Sequence, residues 1–100
     1  MIQIQFERSG GFAGIRQSHS ISSDTLSPEE ENKIIGLIET AHFFDLPPVL
    51  RSTQPGADRF QYKISVQSEQ RQHTVQVDEA AVPAELQPFL AWLKIAARKP

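Results

Sequence analysis

The chain begins with a regular alternation of apolar and polar residues. Ile2, Ile4 and Phe6 are separated by glutamines, and a second alternating stretch runs over residues 15–21. Alternation with a period of two is typical of a strand that buries one face. Three of the five glycines lie between these stretches, within residues 9–14. Because glycine clusters mark changes of chain direction, the pattern predicts a β-hairpin with a glycine-rich tip.

A helix start follows the hairpin and carries several matching signals. Ser27 is a good N-cap residue, Pro28 suits the first helical position, and Glu30 completes a capping box. The apolar residues that follow, Ile34 among them, recur at helical spacing and predict a stripe that faces the core. Gly36 lies inside this helix, where glycine costs about 1 kcal/mol relative to alanine. We therefore expect another part of the chain to pack closely against it.

The second half of the chain repeats the order of two strands and a helix. Residues 60–67 and 72–77 alternate on either side of a polar turn, which predicts a second hairpin. Leucines at helical spacing close the chain, and the prolines before them predict a first turn at Pro83 and a main helix from about Pro88. Residues 45–58 contain three prolines and little periodicity. Long connections of this kind are often functional.

The predicted fold is a single α+β domain over residues 1–100. The repeated order fits one four-stranded antiparallel sheet with both helices packed on its apolar face. The opposite face, rich in Gln, Ser, Thr and Lys, is expected to face solvent. The predicted core residues share the inward positions of these elements; they are Ile4, Phe6, Ile34, Ile38, Phe60, Tyr62, Ile64, Val75, Leu90 and Leu93.

Composition excludes several classes of function. The chain contains no cysteine, which removes a disulfide framework, a thiolate zinc site and a cysteine nucleophile. The formal net charge of −2 argues against a phosphate-binding surface, so we expect no nucleic-acid partner. No apolar run reaches the length of a membrane span, and the N-terminal stretch lacks the features of a signal peptide. We expect a cytoplasmic protein with no membrane partner.

Candidate catalytic and metal-binding residues are few. His19, His42 and His73 have no second ligand at a recognised metal-binding spacing, although His42 and Asp45 lie three residues apart at a helix end. His42 is interpreted as a helix C-terminal residue near the negative end of the dipole. His19 and His73 are in phase with inward strand residues and are interpreted as partly buried, hydrogen-bonded side chains. The sequence therefore predicts a non-enzymatic protein without a metal or a cofactor.

Several segments, taken together, resemble the emfourin family. These are residues 6–14 (FERSGGFAG), 42–47 (HFFDLP), 56–62 (GADRFQY), 73–77 (HTVQV) and 83–93 (PAELQPFLAWL). The likeness covers nearly the whole chain in order. It implies a proteinaceous inhibitor of thermolysin-like zinc metallopeptidases, with a bacterial protease of the protealysin type as partner. Such inhibitors are usually encoded beside their protease.

The protease-binding residues are expected in the loops, because the predicted outward face of the sheet carries no large anchor residue. Thermolysin-like proteases resemble one another in preferring a bulky apolar residue next to the bond that they cleave. Phe12 is the candidate to fill the corresponding protease pocket, because the glycines on either side would let the backbone approach the cleft closely. The alternative is that Phe12 packs back onto the core. The first-choice site is the hairpin tip, comprising Ser9, Gly10, Gly11, Phe12, Ala13 and Gly14. The second choice is Leu50, Arg51 and Asp58.

The inhibition implied by the resemblance is reversible, competitive and non-covalent occlusion of the protease cleft. We expect the free protein to be a monomer. Two other functions are also compatible with the sequence. One is an adaptor or regulatory module that binds a different protein partner through the same loops. The other is a small-ligand module at the junction of sheet and helix.

Overall fold

The computed structural model describes residues 2–10, 15–50 and 60–98 and has the predicted α+β architecture. The elements in chain order are β1 (Gln3–Gly10), β2 (Ile15–Ser22), α1 (Pro28–Thr40), β3 (Val49–Leu50), β4 (Phe60–Gln67), β5 (Gln72–Asp78) and α2 (Gln87–Arg98). Single 3₁₀ turns lie at Ser23–Thr25, Phe43–Asp45 and Glu79–Ala81. Both predicted hairpins and both predicted helices are present.

The strands form one sheet in the order β2-β1-β4-β5-β3. The four long strands pair antiparallel, whereas β3 runs parallel to β5. The prediction of a four-stranded antiparallel sheet was therefore wrong, because the sheet is mixed and has a fifth strand. β3 has only two residues and follows Pro47 and Pro48, so it is too short for alternation to reveal it. Its pairing depends on the backbone, since the carbonyl of Pro48 accepts a hydrogen bond from the N–H of Gln76 at 2.8 Å.

Helix α1 begins and ends with local contacts of its own. The Ser27 hydroxyl accepts a hydrogen bond from the N–H of Glu30 at 3.2 Å, which confirms the predicted cap. The chain turns away from the helix axis after Thr40, at His42, which adopts a left-handed conformation with φ of 51° and donates its N–H to the carbonyl of Glu39 at 3.0 Å. Gly36 is exposed, and a Cβ built on it would meet no atom within 4 Å. The prediction of close packing at Gly36 was wrong.

Helix α2 is preceded by the predicted turn. The N–H of Leu86 donates to the carbonyl of Pro83 at 3.0 Å, and the helix then runs from Gln87. Leu86, Phe89 and Leu93 are fully buried. None of the helices in the described part of the chain is long and apolar enough to cross a bilayer.

The core lies between the inner face of the sheet and the two helices. Its members from the sheet are Ile4, Phe6, Ile21, Tyr62, Ile64, Val66, Val75 and Val77, and those from the helices are Ile34, Ile38, Phe89, Leu90 and Leu93. Every predicted core residue is buried except Phe60, which is half-buried at one end of the sheet. Phe43 of the 3₁₀ turn is also fully buried and packs edge-on against Phe89.

The opposite face of the four long strands is polar, as predicted. Gln5, Lys63 and Gln76 are exposed there. The hydroxyls of Ser65 and Thr74 lie 2.8 Å apart across β4 and β5. In the described strands, this face presents polar side chains and no aromatic residue.

Candidate functional site

Both segments that were predicted to bind a protease begin and end at the same end of the sheet. β1 ends at Gly10, which is paired with Ile15 of β2 on one side and with Phe60 of β4 on the other. Residues 11–14 connect Gly10 to Ile15, and residues 51–59 connect Leu50 to Phe60. Paired residues in antiparallel strands have Cα atoms about 5 Å apart. The base of one segment is therefore in direct contact with the base of the other.

The fifth strand reaches the same place. Leu50, the last residue of β3, is paired with Val77 near the end of β5, and Asp78 is paired with Gln61. We call this region the loop end of the sheet and define it by Gly10, Ile15, Leu50, Phe60 and Asp78. The sequence analysis treated residues 9–14 and the connection that contains Leu50, Arg51 and Asp58 as competing sites, but the strand register makes the bases of the two segments neighbours.

The structure locates three of the predicted site residues. Ser9 and Gly10 are the last two residues of β1, and both are half-buried. Gly10 has a φ of 99°, which side-chain-bearing residues rarely adopt, so glycine is required at this position. Leu50 is partly buried and packs against the core. Gly11, Phe12, Ala13, Gly14, Arg51 and Asp58 lie outside the described residues.

The inner face of the loop end holds two cations above aromatic rings. The guanidinium carbon of Arg8 lies 4.2 Å from the ring centroid of Phe60. The Lys94 ammonium lies 5.1 Å from the ring centroid of Tyr62, and Tyr62 stacks on Phe6 with centroids 5.8 Å apart. Cations in these positions are attracted by the negative face of the ring. The result is a layer of rings and cations beneath the strand ends.

Sequence reasoning missed Arg8 and gave Phe60 only a core role. The signal for Arg8 was present, because it is in phase with Ile4 and Phe6 on the inward face of β1. A charged residue at an inward position breaks the alternation of apolar inward and polar outward residues. Such a break indicates that the side chain has a specific partner or role. Its partner was invisible, since Phe60 becomes a neighbour only through the register of β1 with β4.

Carboxylates fix the strand ends by hydrogen bonds. The Oε1 atom of Glu79 accepts a hydrogen bond from the N–H of Phe60 at 3.3 Å. Asp78 accepts one from the N–H of Ala80 at 3.0 Å, which caps the 3₁₀ turn after β5. On the outer face, the Oε1 atom of Glu7 lies 2.6 Å from the Nε atom of Arg16. These contacts join β1 to β2 and β4 to the turn that follows β5.

The family of the chain is decided by a match that spans most of it. The family model of emfourin matches residues 6–94. The chain belongs to the emfourin family. The match begins in β1 and ends in α2, so it includes both segments that leave the loop end.

One solved structure of an emfourin is similar to this chain. It is emfourin from Serratia proteamaculans, described as an M4 family peptidase inhibitor. The two are 19% identical, the comparison covers 86% of this chain and 82% of that chain, and the TM-score is 0.46. No curated protein sequence matches the chain.

The three histidines of this emfourin-family chain lie in different environments. His19 and His73 are partly buried, as predicted, and the Nε2 atom of His73 lies 2.7 Å from the carbonyl oxygen of Leu46. His42 is exposed, and its carbonyl accepts a hydrogen bond from the N–H of Asp45 at 2.9 Å. Among the described residues, no group of three His, Asp or Glu side chains is arranged to hold a metal ion.

A cleft of about 390 Å³ lies at the other end of the sheet, between α1 and the turn that joins β4 to β5. Its walls include Ile2, Phe43 and Phe44. Its rim includes Glu39, His42, Asp45 and Arg71. This is the junction of sheet and helix at which the sequence left a small-ligand function open. Its rim carries both signs of charge, since Glu39 and Asp45 lie there together with Arg71.

Proposed function

We propose that this protein inhibits thermolysin-like zinc metallopeptidases of the protealysin type. The observation that carries the proposal is membership of the emfourin family, established over residues 6–94. Emfourin from Serratia proteamaculans is described as an inhibitor of M4 family peptidases. Common membership of the family brings this activity to the present chain. The protein acts by binding, and it needs neither catalytic residues nor a cofactor for that purpose.

The protease-binding surface in this proposal is the loop end. Ser9, Gly10, Gly11, Phe12, Ala13 and Gly14 enter the protease cleft, and Leu50, Arg51 and Asp58 contact its rim. Two observations support the choice. The paired residues Gly10 and Phe60 hold the bases of both segments side by side. The outer face of the long strands is polar, so it offers a protease no desolvated anchor.

Phe12 is the proposed anchor. A large aromatic side chain buries enough apolar surface to dominate the energetics of an interface. Glycines on both sides of Phe12 and Ala13 let the backbone approach the walls of a narrow cleft. Inhibition is then steric, reversible and competitive with peptide substrates. A cytoplasmic location and a monomeric free state stay predictions from the sequence.

The proposal is tested by titrating a thermolysin-like protease with the purified protein and following hydrolysis of a short peptide substrate. We expect loss of activity that saturates at one inhibitor per enzyme, recovers on dilution and raises KM without lowering kcat. A serine protease assayed in parallel is expected to keep its full activity. Excess zinc is included in one series, and inhibition that persists there excludes removal of the catalytic metal. A protease that stays fully active at micromolar inhibitor contradicts the proposal and favours the adaptor function.

A further inference from the structure

We propose that Arg8 is a positioning residue for protease binding, which holds the two halves of the loop end in register through its contact with Phe60. The inference rests on the proposed inhibitory function. It assigns Arg8 no contact with the protease. Its role is to fix the strand ends from which residues 11–14 and 51–59 depart.

The location of the contact is the first support. Arg8 is two residues before Gly10, and Phe60 is the first residue of β4. In the register Arg8 is opposite Tyr62 and Gly10 is opposite Phe60, so the guanidinium reaches diagonally along the sheet to lie 4.2 Å from the Phe60 ring centroid. Diagonal neighbours across antiparallel strands are within reach of long side chains. The contact therefore joins the base of one segment to the base of the other.

The second support is that Arg8 is a poor choice for stability alone. Its Nε atom is buried and has no hydrogen-bond partner among the described residues. A buried donor without a partner is unfavourable, and an apolar side chain of similar shape removes that penalty. The residues before and opposite it on the same face, Phe6 and Tyr62, are buried. A methionine would fill the position without the unsatisfied donor.

The third support is the geometry that only arginine provides. The guanidinium is a flat cation that can stack on a ring face, whereas the ammonium group of lysine is compact and has no planar surface. The main chain of Phe60 is also restrained, because its N–H donates a hydrogen bond to the Glu79 carboxylate at 3.3 Å. A ring restrained by its backbone and covered by a planar cation has little freedom to move. Restricting the free state in this way reduces the entropy lost on binding.

The chain offers a matched control for this pair. At the other end of the sheet, the guanidinium carbon of Arg71 lies 5.5 Å from the ring centroid of Phe44. This is the same type of contact, but it lies beside the turn between β4 and β5. The control variant is therefore R71M, and the test variant is R8M.

The experiment compares the inhibition constant and the melting temperature of the two variants with those of the parent. We expect R8M to melt at the same temperature as the parent or higher, while its inhibition constant rises about tenfold. R71M is expected to keep the parent inhibition constant. R8K retains the charge without the planar group and is expected to inhibit as weakly as R8M. The double variant R8M/F60L is expected to have the same inhibition constant as F60L alone, because each of the two substitutions removes the same contact between Arg8 and Phe60.

Three results would overturn the inference. They are an inhibition constant for R8M equal to that of the parent, a loss in R8M that R71M reproduces, and full inhibition by R8K. Amide hydrogen exchange of the free protein gives an independent measure. Faster exchange of the Phe60 amide in R8M, with the Val75 amide unchanged, supports the positioning role, and equal exchange contradicts it. A parent protein that fails to inhibit the protease refutes the proposed function, whereas the exchange result still decides the role of Arg8.

Discussion

The Nε2 atom of His73 lies 2.7 Å from the main-chain carbonyl oxygen of Leu46. A carbonyl oxygen only accepts hydrogen bonds, so Nε2 carries the proton in this contact. The same ring packs edge-on against Phe43, with centroids 5.7 Å apart. His73 thereby fastens β5 to the segment that follows α1 and leads into β3. This contact adds to the main-chain hydrogen bond between Gln76 and Pro48, which joins the same segment to β5.

Replacement of His73 by leucine removes the hydrogen bond and leaves the Leu46 carbonyl without its partner. We expect the free energy of unfolding to fall by about 1–3 kcal/mol, the usual effect of an unpaired, partly buried acceptor. Urea unfolding of the variant measures the change. His19→Leu is the control, since His19 is also half-buried but lies on an edge strand, and it is expected to stay within about 0.5 kcal/mol of the parent. Equal effects of the two substitutions would assign His73 no special role.

Helix α2 provides a contrast between a core leucine and a surface isoleucine. Leu93 is fully buried, whereas Ile95 is 57% exposed. Leu93→Ala is expected to lower the free energy of unfolding by about 2–5 kcal/mol, because it leaves a cavity in a packed core. Ile95→Ala is expected to change it by less than about 0.5 kcal/mol. A Leu93→Ala variant as stable as the Ile95→Ala variant in chemical denaturation would remove Leu93 from the core.

Two glycines are expected to respond to alanine in opposite directions. Gly36 is inside α1 with open space around it, so Gly36→Ala is expected to stabilise the protein by about 0.5–1 kcal/mol. Gly10 has a positive φ, so Gly10→Ala is expected to destabilise it by about 1–3 kcal/mol through backbone strain. Thermal unfolding of both variants under one set of conditions gives the comparison. The same sign of change in both would show that backbone conformation does not govern these positions.

Phe12 is the residue on which the proposed mechanism depends most. Phe12→Ala is expected to raise the inhibition constant at least roughly thirtyfold, corresponding to about 2 kcal/mol of binding free energy. The stability of the free protein is expected to stay within about 0.5 kcal/mol of the parent. Enzyme inhibition and urea unfolding are measured on the same preparation.

The other outcomes for Phe12→Ala assign the residue differently. Loss of stability together with loss of inhibition would place Phe12 in the core. Unchanged values for both would exclude it as the anchor and direct attention to Leu50, Arg51 and Asp58.

Removal of metal ions is expected to leave the free protein unchanged. The sequence has no cysteine, and its three histidines are widely spaced. A protein that folds without a structural metal keeps its melting temperature when a chelator is added. The measurement is thermal unfolding of the isolated inhibitor with and without EDTA. A decrease of many degrees would contradict this prediction and make the histidines candidates for metal ligands.

The elements that could be predicted from the sequence are those with a strong local pattern. β1 and β4 each bury one face, so their alternation is regular, and α1 carries its own cap at Ser27. β3 could not be predicted in this way. It consists of Val49 and Leu50, it follows two prolines, and its partner β5 is more than twenty residues away. The order of the strands was also beyond prediction, because any arrangement of alternating strands buries the same face.

The sequence named two candidate segments for the site, and the structure adds how the bases of those segments are arranged. Loop composition indicated Ser9 and Gly10, and the prolines drew attention to the segment that follows Leu50. The bases of the two segments are neighbours because Gly10 is paired with Phe60. This pairing exists only in the folded sheet. The burial of Arg8 against Phe60 follows from the same pairing.

The location of the loop end at one end of the sheet has a practical consequence for attaching this protein to a surface. The turn after β4 contains Gln70, which is exposed and lies at the far end of the sheet from Gly10 and Phe60. β4 has eight residues, so a tether at Gln70 stands about 25 Å from those strand ends. A single cysteine introduced there would be the unique thiol of the chain, since the sequence has none of its own. Coupling through that thiol would immobilise every molecule in one orientation, with the loop end directed away from the support and towards solution.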